Sequence, residues 1–502
     1  MFVNWSPPTM TKQQMYEDFD ELLFILENAN PQLPIRKAVT GVNLLDSVKT
    51  LRKKIEDIQD YYNFINLLDK SLSYMYDIHA VVAKDFHEWD HFYDTTGIDL
   101  KLVNIIHTNY RKRANEQYES QNPRSWFPAN PTYIDGNYYI HGVYTLTNRD
   151  NDTLILKNAK ILLYNNSPYN DYVLENSDKF KGGFRWDFKR NRYYSLSSNF
   201  PRDCELVVEN EDGEIFSLNP SKYNGFSIVQ LSNPDFFPHP DFQPYPHPNP
   251  ALREKRVLYS ENDNILYVFL PIMEDAENQI PEKVKEIGKD KEIKKVIIDV
   301  RGNRGGGDYV WQNLLKAIVA DSLIYDAQMA FLNTELMRKR LDYHVKESQV
   351  QTFEWLPDAE YLITQYVPSY FVPDSNSLKY SGKIYVLQDE NVFSAGHSLT
   401  SYCRHIEQLV SVGQPTGLLA GFGLAPILFQ LKNSKFSFRL EPVIDVTNVN
   451  CALDVYQDFP EIVIEMPFDE KRKYLDYTDF DMQNENNLYK YDYLFKKVLE
   501  IE

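Results

Sequence analysis

The sequence predicts an α/β chain of several domains, α+β in its overall make-up, and three observations predict it. A short run with a wholly apolar centre, "KKVIIDV", has the composition of a parallel strand buried on both faces. Similar runs alternate with helical patterns from residue 256 onward: "NILYVFLPIM", "PEKVKEIGKD", "DYVWQNLLKAIVA", "KIYVLQDE" and "QLVSVGQPTG". That alternation implies a largely parallel or mixed sheet. Upstream the period changes, and 502 residues exceed what one ordinary core accommodates.

The elements follow in order. Residues 1–82 read as a helical region: "TKQQMYEDFDELLFILENANP" places Met15, Phe19, Leu22, Leu23 and Leu26 near a 3.6 period, with Thr11 as cap and "ANP" as stop. Residues 83–134 form a β-rich connecting segment. Residues 135–228 form a compact β module, in which "YYIHGVYTLTN" alternates and "DCELVVENEDGEIFSL" reads as strand, turn and strand. Residues 229–255 are a stiff Pro-rich linker, since "NPDFFPHPDFQPYPHPNP" admits neither a helix nor a central strand. Its His239 and His247 read as solvated. Residues 256–502 form the mixed-sheet core, within which "PILFQLKNSKFSFRLEP" reads as a hairpin with Asn433 and Ser434 at its turn.

Composition narrows the function. A hydrophobic fraction of 43% with 36 Tyr and 29 Phe marks a folded chain. A net charge of -19 argues against nucleic acid or an anionic membrane as partner. Cys204, Cys403 and Cys451 are far apart and lack metal-ligand spacing, so neither a disulfide scaffold nor a metal site is expected, and no cofactor is. "MFVNWSPPTMTKQQ" has no secretory pattern and no apolar run suits a bilayer span, so the cytoplasm is the default expectation.

Two stretches carry chemistry. In "VIIDVRGNRGGGDYV" a buried strand leads into Gly305, Gly306 and Gly307, whose backbone N–H groups suit a phosphate or an oxyanion. A glycine-rich turn without chemistry has the same look, and a P-loop is excluded because no Gly-Lys-Ser/Thr follows. In "NVFSAGHSLTSYC" Ser394 stands at a strand-to-helix corner. It is read either as a nucleophile, with the Ala395 N–H beside it, or as a helix cap.

Together, "VIIDVRGNRGGG" and "GKIYVLQDENVFSAGHSL…LVSVGQPTG" resemble the core of the C-terminal-processing (tail-specific) and tricorn-type serine peptidases. The resemblance covers most of the C-terminal half, and motif order and carrying strands match. It implies a crotonase/ClpP-like mixed-sheet catalytic core acting on polypeptides. More loosely, "DIHA" is similar to the family's Asp-x-His segment, and "LKNAKILLYNNSPYNDYV" to a degenerate PDZ-like module. The chain departs from the Ser–Lys branch, because Leu419 in "PTGLLAGFG" stands where that lysine falls, and a leucine accepts no proton. The resemblance then implies the Ser-His-acid branch, with Ser394 as nucleophile, His79 as general base and Asp454, in "LDVYQDFPEI", as acid. Asp458, Glu441 and Asp445 are alternatives for the acid, and His397 for the base. Ala395 with Gly305 or Gly306 would hold the oxyanion. Asp77 and Arg301 read as structural. The alternatives are a non-catalytic relative that binds peptides or hydrophobic ligands, and an acyl-CoA enzyme of the crotonase type.

Overall fold

The computed structural model describes residues 6–76, 80–83, 98–121, 126–127, 131–176, 184–195, 200–201, 204–229, 255–275, 277–341, 348–365, 369–416, 427–471 and 485–501. The Pro-rich stretch of 230–254, with His239 and His247, lies outside them. The chain forms two compact units: Met1–Ile228 with Ala330–Ile363 and Gly423–Ile444, and Val229–Met329 with Thr364–Phe422 and Asp445–Glu502.

In the first unit, the helix Lys12–Ala29 starts where Thr11 accepts the Gln14 N–H and the Gln14 side chain accepts the Thr11 N–H, a reciprocal cap. Its buried face carries Met15, Phe19, Leu22, Ile25 and Leu26, whereas Leu23 is only half-buried. Asp18 sits on that face too and is fully buried. Its carboxylate accepts the Asn433 and Ser434 N–H groups at 2.9 and 2.6 Å, which anchors the turn of an antiparallel hairpin, Ile427–Gln430 with Ser437–Leu440. Val81–Val82 extends that sheet as a third strand. The segment expected to be β-rich, 83–134, instead carries a long helix, Leu100–Gln121, because its buried Val103, Ile106 and Tyr110 recur at three- and four-residue spacing.

The β region of this unit is a seven-stranded sheet. Its longest pair, Asn137–Asn148 and Thr153–Tyr164, is antiparallel, and the Asn148 side chain closes the turn by accepting the Asp150 and Asp152 N–H groups. Leu206–Glu209 and Ile215–Leu218 pair antiparallel around Gly213 at φ 77°.

The second unit has one six-stranded sheet. The strands are β1 (Arg256–Ser260), β2 (Ile265–Phe269), β3 (Lys295–Asp299), β4 (Ile384–Gln388), β5 (Leu409–Gly413) and β6 (Ile462–Val463), in that spatial order. β1 is antiparallel to β2, and every later pair is parallel. The helices are α1 (Gln279–Gly288), α2 (Tyr309–Ile318), α3 (Ala395–Tyr402), α4 (Ala452–Tyr456), α5 (Glu485–Tyr491) and α6 (Tyr493–Leu499). Every residue of β2, β4 and β5 is buried, as both-face coverage requires. On one face Tyr267, Phe269, Ile297, Tyr385 and Leu387 pack against Leu494, Phe495 and Val498 of α6.

Candidate active site

The C-terminal ends of β3 and β4 are parallel neighbours, so the turns that follow them emerge side by side. After β3 the chain passes through Gly302 at φ 73°, Gly305 at 101° and Gly306 at 140°. Asn303, fully buried, organises this turn. Its Oδ1 accepts the Gly305 N–H at 2.8 Å and its Nδ2 donates to the Leu270 carbonyl at 2.7 Å. Its own carbonyl accepts the Phe393 N–H at 2.8 Å, tying the glycine turn to the residue before Ser394. Asp389, just past β4, makes a second tie by accepting the Gly302 N–H at 3.0 Å. Burial raises the Asp389 pKa, against the pull of the Gly302 and Asn391 N–H donors.

Ser394 occupies the corner between β4 and α3 at φ 54°, ψ -127°, a region that L-residues rarely enter. It stands at the N-cap position, yet its side chain makes no capping hydrogen bond. Ser394 is half-buried. Gly305 lies against it: a Cβ at 305 would fall on the Ser394 Cβ, 2.9 Å from Oγ and 3.0 Å from the Ala395 nitrogen. A Cβ on Gly306 would fall on the Met273 carbonyl. The N–H groups of Ala395 and Gly306 donate to nothing among the described residues, whereas that of Gly305 is held by Asn303.

His79 and Asp77 lie outside the described residues, as does Leu419. Up to Tyr76 the chain is fixed: Arg36 donates to the Met75 and Tyr76 carbonyls at 2.9 and 3.1 Å, and the Tyr76 ring stacks on Phe184. Asp454, in α4, accepts the Asn450 and Cys451 N–H groups on Oδ2 at 2.9 and 3.1 Å, and Oδ1 accepts nothing among the described residues. Glu441 is buried in the first unit. Asp445 meets His405 at 3.2 Å and Thr447 at 2.6 Å. Burial opposes its ionisation, but these partners outweigh it and hold its pKa below the ordinary carboxylate value.

His397, one turn into α3, is buried, and neither ring nitrogen has a hydrogen-bond partner among the described residues. Its Nε2 is 3.8 Å from Asp458 Oδ2, which accepts the Thr400 hydroxyl at 2.8 Å. Arg404 Nε lies 3.4 Å from the other Asp458 oxygen. Burial lowers the His397 pKa, Arg404 adds to that, and Asp458 and Asp445 oppose it. No group of three or more His, Cys, Asp or Glu suited to a metal ion occurs among the described residues, and no helix there is long and apolar enough to cross a membrane.

Sequence reasoning did not assign roles to Asn303, Asp389 or Asp492. Asn303 had a signal, an Asn two residues before a Gly, which is the spacing of an Asx turn. Asp492 had none, because its partner Arg301 is 191 positions away.

The chain is similar to known proteins in two ways. Residues 264–440 match the model of peptidase family S41. Mature CPAF shares the fold, with a TM-score of 0.50 and 13% identity over 93% of this chain and 96% of that one. CPAF complexed with lactacystin gives a TM-score of 0.50 and 13% identity over 93% and 97%. The photosystem II D1 C-terminal processing protease is a more distant likeness, with a TM-score of 0.35 and 11% identity over 91% and 94%. No curated protein matches the sequence. The glycine turn, the serine corner and the strands that carry them all fall inside the 264–440 stretch that matches peptidase family S41.

Proposed function

We propose that the chain cleaves polypeptides through an acyl-enzyme on Ser394. The observation that carries this reading is the corner itself. Ser394 is held at φ 54° without a capping bond, with Gly305 clearing the space beside its hydroxyl. A serine that merely capped α3 would spend its oxygen on an N–H of the first turn. The backbone cost of such a conformation, about 1–3 kcal/mol, is characteristic of functional positions.

In this mechanism Oγ attacks the scissile carbonyl carbon as His79 takes the hydroxyl proton. The N–H groups of Ala395 and Gly306 hold the oxyanion; the Gly305 N–H is already engaged, and that residue supplies clearance. The imidazolium gives its proton to the leaving amine nitrogen, and water then releases the acyl group by the reverse proton path. Asp454 Oδ1 orients the imidazole. The edges of the 131–229 sheet would take extended substrate by strand addition. A second reading of the base rests on His397, whose unpaired ring lies beside Asp458 on the serine's own helix. A non-catalytic, ligand-binding role has no observation in its favour.

A fluorophosphonate probe tests the nucleophile and the base together. Wild type should label and Ser394→Ala should not; equal labelling of the two defeats the reading. His79→Ala should lose labelling while His397→Ala keeps it. The opposite pattern transfers the base to His397.

A further inference from the structure

The glycine turn is fastened from behind by a segment that the mechanism does not use. We infer that Asp492 is a positioning residue that sets the glycine turn through Arg301, so that docking of α6 and competence of the Ser394 corner are one equilibrium. This rests on the reading of Ser394 as nucleophile.

The guanidinium of Arg301 is gripped on two edges by two carboxylates. Nε and one terminal nitrogen donate to Asp299 at 2.9 and 2.6 Å, and both terminal nitrogens donate to Asp492 at 3.0 and 2.5 Å. The Arg301 side chain is 2% exposed and both carboxylates are 0% exposed. Paired forks of this kind fix orientation as well as charge, and removing one partner strands the others without water. Tyr267 adds a hydroxyl donor to Asp299 at 2.7 Å, and its ring meets Phe495 edge-on at 5.7 Å.

Asp492 has a second duty. Its Oδ1, one of the two oxygens that meet Arg301, also accepts the Phe495 N–H at 2.9 Å, so one carboxylate caps α6 and holds Arg301. At the other end of α6, Lys295 Nζ donates to the Val498 and Ile501 carbonyls at 2.9 and 2.6 Å. The helix is therefore fastened to both ends of β3, whose last residue is Asp299. From Arg301 the path to the corner is short. Gly302 is held by Asp389, Asn303 holds the Phe393 N–H, and Gly305 abuts Ser394. A shift of Arg301 thus reaches the oxyanion donors through contiguous backbone.

The test compares Asp492→Asn and Asp492→Glu with Val498→Ala, a buried α6 residue whose side chain packs in the apolar cluster. Asp492→Asn should lower kcat and the fluorophosphonate labelling rate by about tenfold or more with KM within about twofold. Amide exchange should accelerate over 300–307 as well as over α6. Asp492→Glu should recover part of both, and it carries the comparison should Asp492→Asn not fold. Val498→Ala should accelerate exchange in α6 alone and leave kcat within about twofold at an equal loss of Tm. The inference is overturned if Val498→Ala lowers kcat as much at equal Tm, or if Asp492→Asn leaves exchange over 300–307 unchanged. Absence of Ser394-dependent labelling in wild type defeats the nucleophile instead, and the exchange comparison then still decides the coupling.

Discussion

A methyl group at position 305 has nowhere to go. Gly305 sits at φ 101°, and its Cβ would fall on Ser394. Gly305→Ala should therefore reduce kcat by about 100-fold, the scale of a lost oxyanion donor, because the collision displaces the corner. Steady-state kinetics beside a thermal melt would separate this from unfolding, and unchanged kcat would contradict the assigned geometry. His397 gives a pH prediction. Burial lowers its pKa in the folded chain, so below about pH 6.5 the unfolded chain binds more protons and stability is lost as the pH falls. Between about pH 7.5 and 5.5 wild type should lose more Tm than His397→Gln. Asp308 and Asp389, whose pKa values burial raises, act in the opposite sense but are common to both proteins and cancel. Equal slopes would show that His397 does not titrate in this way.

At the scale of elements, boundaries written in local chemistry were legible. Thr11 with Gln14 starts the first helix, and the apolar Val296–Ile298 centre of β3 reads as buried on both faces. The Asn433–Ser434 turn was also legible, but not what holds it. Asp18 lies 415 positions from Asn433, on a helix face that periodicity assigns to the apolar core. Its carboxylate satisfies three donors, the Asn433 and Ser434 N–H groups and the Asn433 side-chain amide. Asp18→Asn presents an amide N–H₂ to those donors, and leaving buried donors unmet costs about 1–3 kcal/mol each. We expect a loss of about 3 kcal/mol in denaturant unfolding; a loss below about 1 kcal/mol would mean that the turn holds itself.

For the whole molecule, the net charge of -19 bears on substrate encounter. An unfolded Lys/Arg-rich polypeptide should be cleaved with a kcat/KM about tenfold above that of an acidic one of equal length at low salt. The ratio should collapse toward one at about 0.5 M NaCl, where screening is nearly complete. A ratio insensitive to salt would place specificity in local contacts instead.

The sequence by itself determined the alternation of strands and helices, the two motifs and the absence of a lysine at Leu419. These depend on residue type and short spacing. Only the tertiary structure decided that Ser394 is not spent on a cap, that the Gly305 N–H is already engaged by Asn303, and that Asp492 pairs with Arg301. Those facts depend on which groups meet across a parallel sheet, between residues as much as 191 positions apart, and no local pattern encodes such meetings.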